Sequence, residues 1–134
     1  MIESSEVIVD SNIIIDIVSD DPKWVTWSAE ALSRYPICLI NSMIFAELCY
    51  NKASKNEVDE LTFSLELLYQ EVPKEALFFA AQAYRKYRRQ GGTKTAPLPD
   101  FFIGAHAEAL GVPILTRDVS RYRIYFPNVQ LISP

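Results

Sequence analysis

Val7-Ile8-Val9-Asp10-Ser11-Asn12 is the stretch on which the fold turns. Its first three residues form an apolar, β-branched run with no alternation, the pattern of a strand buried on both faces, and the run stops at a carboxylate. From Asn12 to Val18 the chain reads as a helix. A buried strand that passes straight into a helix is the first half of a βαβ unit, and the remaining sequence repeats that alternation. Asp21-Pro22 supplies a helix start, with Asp as N-cap and Pro at the first helical position, for a helix running to about Tyr35. Ile37-Cys38-Leu39-Ile40 reads as a second strand, after which Asn41-Ser42 caps a helix containing Glu47. Asn56 to Tyr69 reads as one amphipathic helix with Val58, Leu61, Leu65 and Leu68 on a shared face. Lys74 to Gln90 is another, placing Leu77, Ala80, Ala81, Ala83, Tyr84 and Tyr87 on one arc; Gly91-Gly92 ends it and a loop runs to Pro99. A helix from Asp100 to Gly111, a strand Ile114-Leu115-Thr116 and a last strand from Val129 to Ile132 complete the chain. The expectation is an α/β fold with a central, mainly parallel sheet, formed as one domain over residues 1–134.

Bulk composition bounds what such a domain does. Hydrophobic residues at 49% and charged residues at 22% describe an ordinary globular chain, and no apolar run approaches the length that crosses a bilayer. Met1 to Asp10 carries two glutamates and no basic segment, so it does not read as a signal peptide, and a cytoplasmic location with no membrane partner is the default expectation. Cys38 and Cys49 lack metal-ligand spacing and read as reduced, buried thiols. The net charge of −4 hides an asymmetry: residues 1–84 hold 14 acids against 5 bases, whereas residues 85–134 hold 3 acids against 8 bases. Arg85, Arg89, Arg117 and Arg121 stand out as candidate phosphate contacts in that basic third; the plainer reading is a solvated charged face.

Four acids fall where chemistry is expected. Open parallel sheets bind ligands at the carboxyl ends of their strands, and Asp10 and Asp118 each follow a strand closely. Asp100 stands at a helix start, where it also reads as a simple cap. Glu47 is the only charged residue in Met43 to Tyr50, so it is either a buried carboxylate needing a partner or the one exposed position of an apolar helix. Carboxylates without accompanying His or Cys suit hard cations such as Mg²⁺ or Mn²⁺. Two such charges about 4 Å apart repel by about 4 kcal/mol at an effective dielectric of 20, so a cluster of them calls for a cation.

The motifs around these acids resemble those of the PIN-domain family. Asp10-Ser-Asn12 with the apolar residues before and after it resembles the opening motif, Ser42 to Glu47-Leu48 the second, Asp100-Phe-Phe-Ile-Gly-Ala-His-Ala the third, and Ile-Leu-Thr116-Arg117-Asp118 the fourth. The closing Phe126-Pro-x-Val-x-Leu-Ile-x-Pro134 is similar to the VapC-like toxin branch, and the likeness spans Val7 to Pro134. The resemblance implies a three-layer α/β/α fold and a metal-dependent endoribonuclease that dimerises and is neutralised by a cognate antitoxin. It assigns Asp10, Glu47, Asp100 and Asp118 to catalysis and metal binding, with Asn12 and Thr116 as supporting polar residues.

Other residues receive plainer readings. Asp16 is taken as solvated or capping, His106 as a packed or solvated helix residue, and Trp24 and Trp27 as packing residues. Phe63 and Leu67 lie opposite the apolar stripe of their helix, and Phe78 and Phe79 fall outside the arc of theirs; a second subunit or an antitoxin helix would cover them, as would burial within the monomer. A haloacid-dehalogenase-type phosphotransferase is disfavoured because its second Asp would fall at Asn12. A non-catalytic RNA-binding or protein-interaction module on the same fold would be marked by a missing acid, and none of the four is missing.

Overall fold

The computed structural model describes residues 4–95 and 98–134; the tip of the expected loop before Pro99, Ala96-Pro97, lies outside them. Five strands, β1 (Glu6–Val9), β2 (Ile37–Ile40), β3 (Leu67–Tyr69), β4 (Ile114–Leu115) and β5 (Leu131–Ile132), form one sheet in the order β3-β2-β1-β4-β5. Every pairing is parallel, with Ile8 opposite Leu39 on one side and Ile114 on the other. Seven helices flank the sheet among the described residues: α1 (Ser11–Val18), α2 (Val25–Ser33), α3 (Ser42–Cys49), α4 (Lys55–Ser64), α5 (Lys74–Arg89), α6 (Pro99–Leu110) and α7 (Ser120–Tyr125). The result is the expected three-layer α/β/α arrangement. With helices on both faces, Val7, Ile8 and Val9 are wholly inaccessible, as an unalternating apolar strand requires.

Strand order reverses at β1: the chain first builds toward β3, then returns to lay β4 on the other side of β1. Parallel sheets bind ligands at such a switch point, and here Asp10 and Thr116 stand at the carboxyl ends of β1 and β4.

Local chemistry accounts for the helix ends. Asn41 is extended and its Oδ1 accepts from Met43 N and Ile44 N, both at 3.1 Å, so α3 starts where the sequence places it. Gly111, at φ 68°, closes α6 in the left-handed conformation that costs a glycine least. Asp21 caps only a turn, through Lys23 N and Trp24 N, and α2 proper begins at Val25.

One expected helix divides. The run from Asn56 to Tyr69 ends as a helix at Ser64; Glu66 takes φ 58° and turns the chain into β3, which pairs with β2. Leu67 is thereby a core residue rather than an exposed one, and Leu68 is turned outward. The reason is tertiary: a Leu-Leu-Tyr segment that pairs with an edge gains a ladder that its helical periodicity could not reveal. Phe63 remains 85% exposed and Phe78 63%, whereas Phe79 packs against the core, as does Trp27. Trp24 meets two cations, with the Lys23 ammonium 4.9 Å and the Arg117 guanidinium 5.0 Å from its ring. Both cysteines are free, Cys38 buried and Cys49 half-buried. No helix among the described residues is long and apolar enough to cross a membrane.

Candidate active site

Asp10 stands at the switch point. It ends β1 and is the N-cap of α1, and at 5% exposure its carboxylate depends on protein donors. Three are supplied: Ser11 N donates to Oδ1, and the Thr116 and Tyr122 hydroxyls both donate to Oδ2, each at 2.9 Å. Burial still raises its pKa above the ordinary value; the Thr116 and Tyr122 hydrogen bonds pull it back, and the nearby charge of Asp100 adds to the rise.

Thr116 is the junction of a small network. Its hydroxyl donates to Asp10 and accepts from Asn12 Nδ2 at 3.2 Å and from Asp118 N at 3.0 Å. Asn12 turns its Oδ1 to Arg117 N at 3.1 Å. One residue from α1 and one from the end of β4 thus fix the backbone that carries Asp118.

Glu47 projects from α3, which is half-buried rather than buried all round: Ile44 and Leu48 are inaccessible, while Ala46 and Tyr50 face solvent. Its Oε1 is nevertheless buried and, among the described residues, has no hydrogen-bond partner. Burial, and then the charge of Asp10, push the Glu47 carboxyl up to about 7, with Ser11 opposing and Asp100 adding to the rise. Glu47 also lines two shallow grooves whose walls are mostly apolar, one shared with Ile15, Met43 and Tyr50 and the other with Val18, Leu48 and Leu61.

Asp100 lies in the first turn of α6 but does not cap it; Leu98 holds the cap position and Pro99 the first helical one. Freed from capping, its Oδ2 accepts from Arg121 at 3.1 Å. Its pKa is raised by burial, lowered by that arginine and raised again by Asp118. Asp118 is the outlier: exposed, and engaged by the Ser120 hydroxyl at 3.2 Å, it stands at the rim near Asp100.

The structure therefore brings Asp10, Glu47 and Asp100 into one electrostatic cluster and leaves Asp118 at its edge. Among the described residues, no three His, Cys, Asp or Glu side chains converge closely enough to enclose a metal by themselves. Mg²⁺ does not require such a cage, since it keeps several waters and takes one or two carboxylates. An all-carboxylate donor set and the unpartnered Glu47 Oε1 fit a hydrated hard cation.

The basic candidates separate. Arg85 and Arg89 are exposed on the last turns of α5. Arg121 touches the cluster through Asp100. Arg117 is committed elsewhere: its Nε and a terminal nitrogen grip both oxygens of Asp16 at 2.7 and 2.8 Å. Asp16, 2% exposed and also bonded by the Ser28 hydroxyl at 2.8 Å, is no solvated residue but the anchor that ties α1 and α2 to the end of β4. Its helical spacing from Asn12 placed it correctly, yet nothing local announced a partner 101 positions away. Tyr122 also carried no local signal of its role, nor did His106, whose Nδ1 accepts from Asn41 Nδ2 at 3.1 Å in the core.

A family model described as the PIN domain matches residues 7–127 of this chain. The chain belongs to the PIN-domain family. No curated protein sequence matches it. Among solved structures, this PIN domain is similar to a chain of VapBC2 from Rickettsia felis bound to a DNA fragment from their promoter, with TM-score 0.70 and 19% identity over 96% of this chain and 98% of that one. It is similar to a chain of DNA-bound VapBC from Salmonella typhimurium, with TM-score 0.71 and 16% identity over 99% and 98%. A third likeness is to VapBC-1 from nontypeable Haemophilus influenzae, with TM-score 0.69 and 20% identity over 96% and 97%. At such identities the likeness is one of fold.

Proposed function

We propose that this PIN domain is a Mg²⁺- or Mn²⁺-dependent endoribonuclease acting as the toxin of a toxin–antitoxin pair. The observation that carries the reading is that the charges of Asp10, Glu47 and Asp100 act on one another beside the switch point, with Glu47 Oε1 buried and, among the described residues, unpartnered. Asp10, Glu47 and Asp100 would hold the ion, with Asp118 at the rim. A divalent ion bound there supplies Lewis-acid polarisation of a phosphodiester and a more acidic water. The chain's own residues do the placing. Thr116 and Tyr122 orient Asp10, and Asn12 and Thr116 hold the backbone leading to Asp118. Arg121 sits against Asp100, where an incoming phosphate would meet a guanidinium. Arg85 and Arg89 offer a basic approach for the rest of the RNA backbone.

The partners follow from the fold relatives and from exposed apolar residues. Among the solved structures resembling this chain, one from Klebsiella pneumoniae is described as a toxin–antitoxin complex and VapBC-5 from Mycobacterium tuberculosis as a member of a family of toxin–antitoxin systems. Phe63 and Phe78 present large apolar side chains to solvent on α4 and α5, faces suited to an antitoxin or to a second copy in a homodimer. A cytoplasmic location accords with both. The test is incubation of the purified chain with a mixed RNA pool in chelator, then with Mg²⁺ or Mn²⁺ restored. Cleavage only with metal is expected. Intact RNA under every condition would leave a non-catalytic module on the same fold.

A further inference from the structure

Tyr122 is one of the largest wholly buried side chains, at 1% exposure, and its hydroxyl lies 2.9 Å from Asp10 Oδ2. Packing alone does not call for that hydroxyl. Phe101 and Phe126 are equally buried aromatic residues and carry no polar atom to satisfy. A tyrosine in the same core brings an O–H that must find an acceptor, and the acceptor here is the Asp10 carboxylate at the switch point.

The consequence lies in how lone pairs are shared. Each carboxylate oxygen accepts about two hydrogen bonds. Oδ2 of Asp10 receives both Thr116 and Tyr122, so it is filled. Among the described residues Oδ1 receives only Ser11 N and keeps an open position. We propose that Tyr122 is a positioning residue: with Thr116 it saturates Oδ2 and locks the carboxylate plane, so that Asp10 meets a cation through Oδ1 alone. The inference rests on the metal-site reading above and adds to it which oxygen binds and what makes the choice. Without Tyr122, Oδ2 has a free lone pair, and the plane is held by Ser11 N and one loop hydroxyl rather than by three donors.

Tyr122→Phe tests this with almost no change of shape. Mn²⁺ affinity, read from the electron paramagnetic resonance of the free ion in a titration of the full chain, needs no substrate or turnover. The expected result is about ten-fold weaker Mn²⁺ binding, the size common to loss of a group that orients a metal ligand. The loss should persist well above neutral pH, where a change in carboxylate ionisation no longer contributes. In an Asp10→Asn background the Tyr122→Phe change should have no further effect, because the hydroxyl acts through that carboxylate. Thermal melts in chelator establish that each variant is folded, and Thr116→Val, which deletes the other Oδ2 donor, serves as a second probe with the same expected direction. Wild-type Mn²⁺ affinity in Tyr122→Phe, whatever Thr116→Val does, would overturn the positioning role while leaving the metal site standing. A wild-type chain that binds no Mn²⁺ would overturn both.

Discussion

The carboxyl ends of β1 and β4 and the last turns of α5 hold most of the molecule's unusual charge, and they are built in opposite ways. At the strand ends the charged and polar groups are largely engaged: Asp10 has three donors, Thr116 is fully bonded, Asp16 and Arg117 pair face to face, and Asp100 is met by Arg121. On α5, Arg85 and Arg89 stand in solvent and, among the described residues, make no ion pair. A buried carboxylate must be satisfied before it can be placed, whereas an exposed guanidinium contributes field without a fixed position. Bond cleavage requires the first kind of construction and a grip on a polyanion requires only the second.

The largest expected effect lies at the strand ends. Asp10→Asn or Asp100→Asn should reduce RNA cleavage to background, and metal-free melts should show Asp100→Asn as stable as wild type or more so, because it relieves the burial of a charge and repulsion among carboxylates. Next in size is Asp16→Ala, which strands the Arg117 guanidinium and leaves Ser28 without its acceptor. A destabilisation of about 3 kcal/mol is expected in urea unfolding, the lower end for breaking a buried pair because the arginine is partly exposed. A change within experimental error would show that this anchor is ornamental.

Glu47 gives a smaller effect with a defined sign. Its carboxyl is raised from 4.5 to about 7 in the folded chain, so the folded state holds that proton longer than the unfolded one. The stability this contributes is fully present below about 4.5 and is lost as pH rises toward about 7. In chelator, wild type should therefore weaken across that window relative to Glu47→Gln, and added Mg²⁺ should remove the difference. Parallel pH profiles would mean that neither burial nor its acidic neighbours raise the Glu47 carboxyl. The smallest effect belongs to α5: Arg85→Ala with Arg89→Ala should flatten the log–log salt dependence of RNA binding by about 0.7 for each phosphate that is no longer neutralised. An unaltered slope would move the RNA path to another face.

Much of this organisation was legible in residue pattern. Val7-Ile8-Val9 before Asp10, the Asn41 cap and the Gly111 stop are local signals, set by burial on two faces, an orphan N–H and a positive φ. What escaped is non-local. Leu67 joins β3 only because β2 offers an edge. Asp16 is buried by an arginine far along the chain, and Tyr122 reaches Asp10 across 112 positions. The sequence order of the acids likewise gave no warning that Asp118 stands at the rim while the other three interact.

The division between the two regions is tested most directly by measuring RNA binding and cleavage separately on the same substrate for Asp10→Asn and for the Arg85→Ala, Arg89→Ala pair. The account predicts that Asp10→Asn binds RNA and does not cut it, whereas the arginine pair binds weakly yet cuts at the wild-type rate once saturated. Cleavage retained by Asp10→Asn, or a saturated rate that falls in the arginine pair, would contradict it.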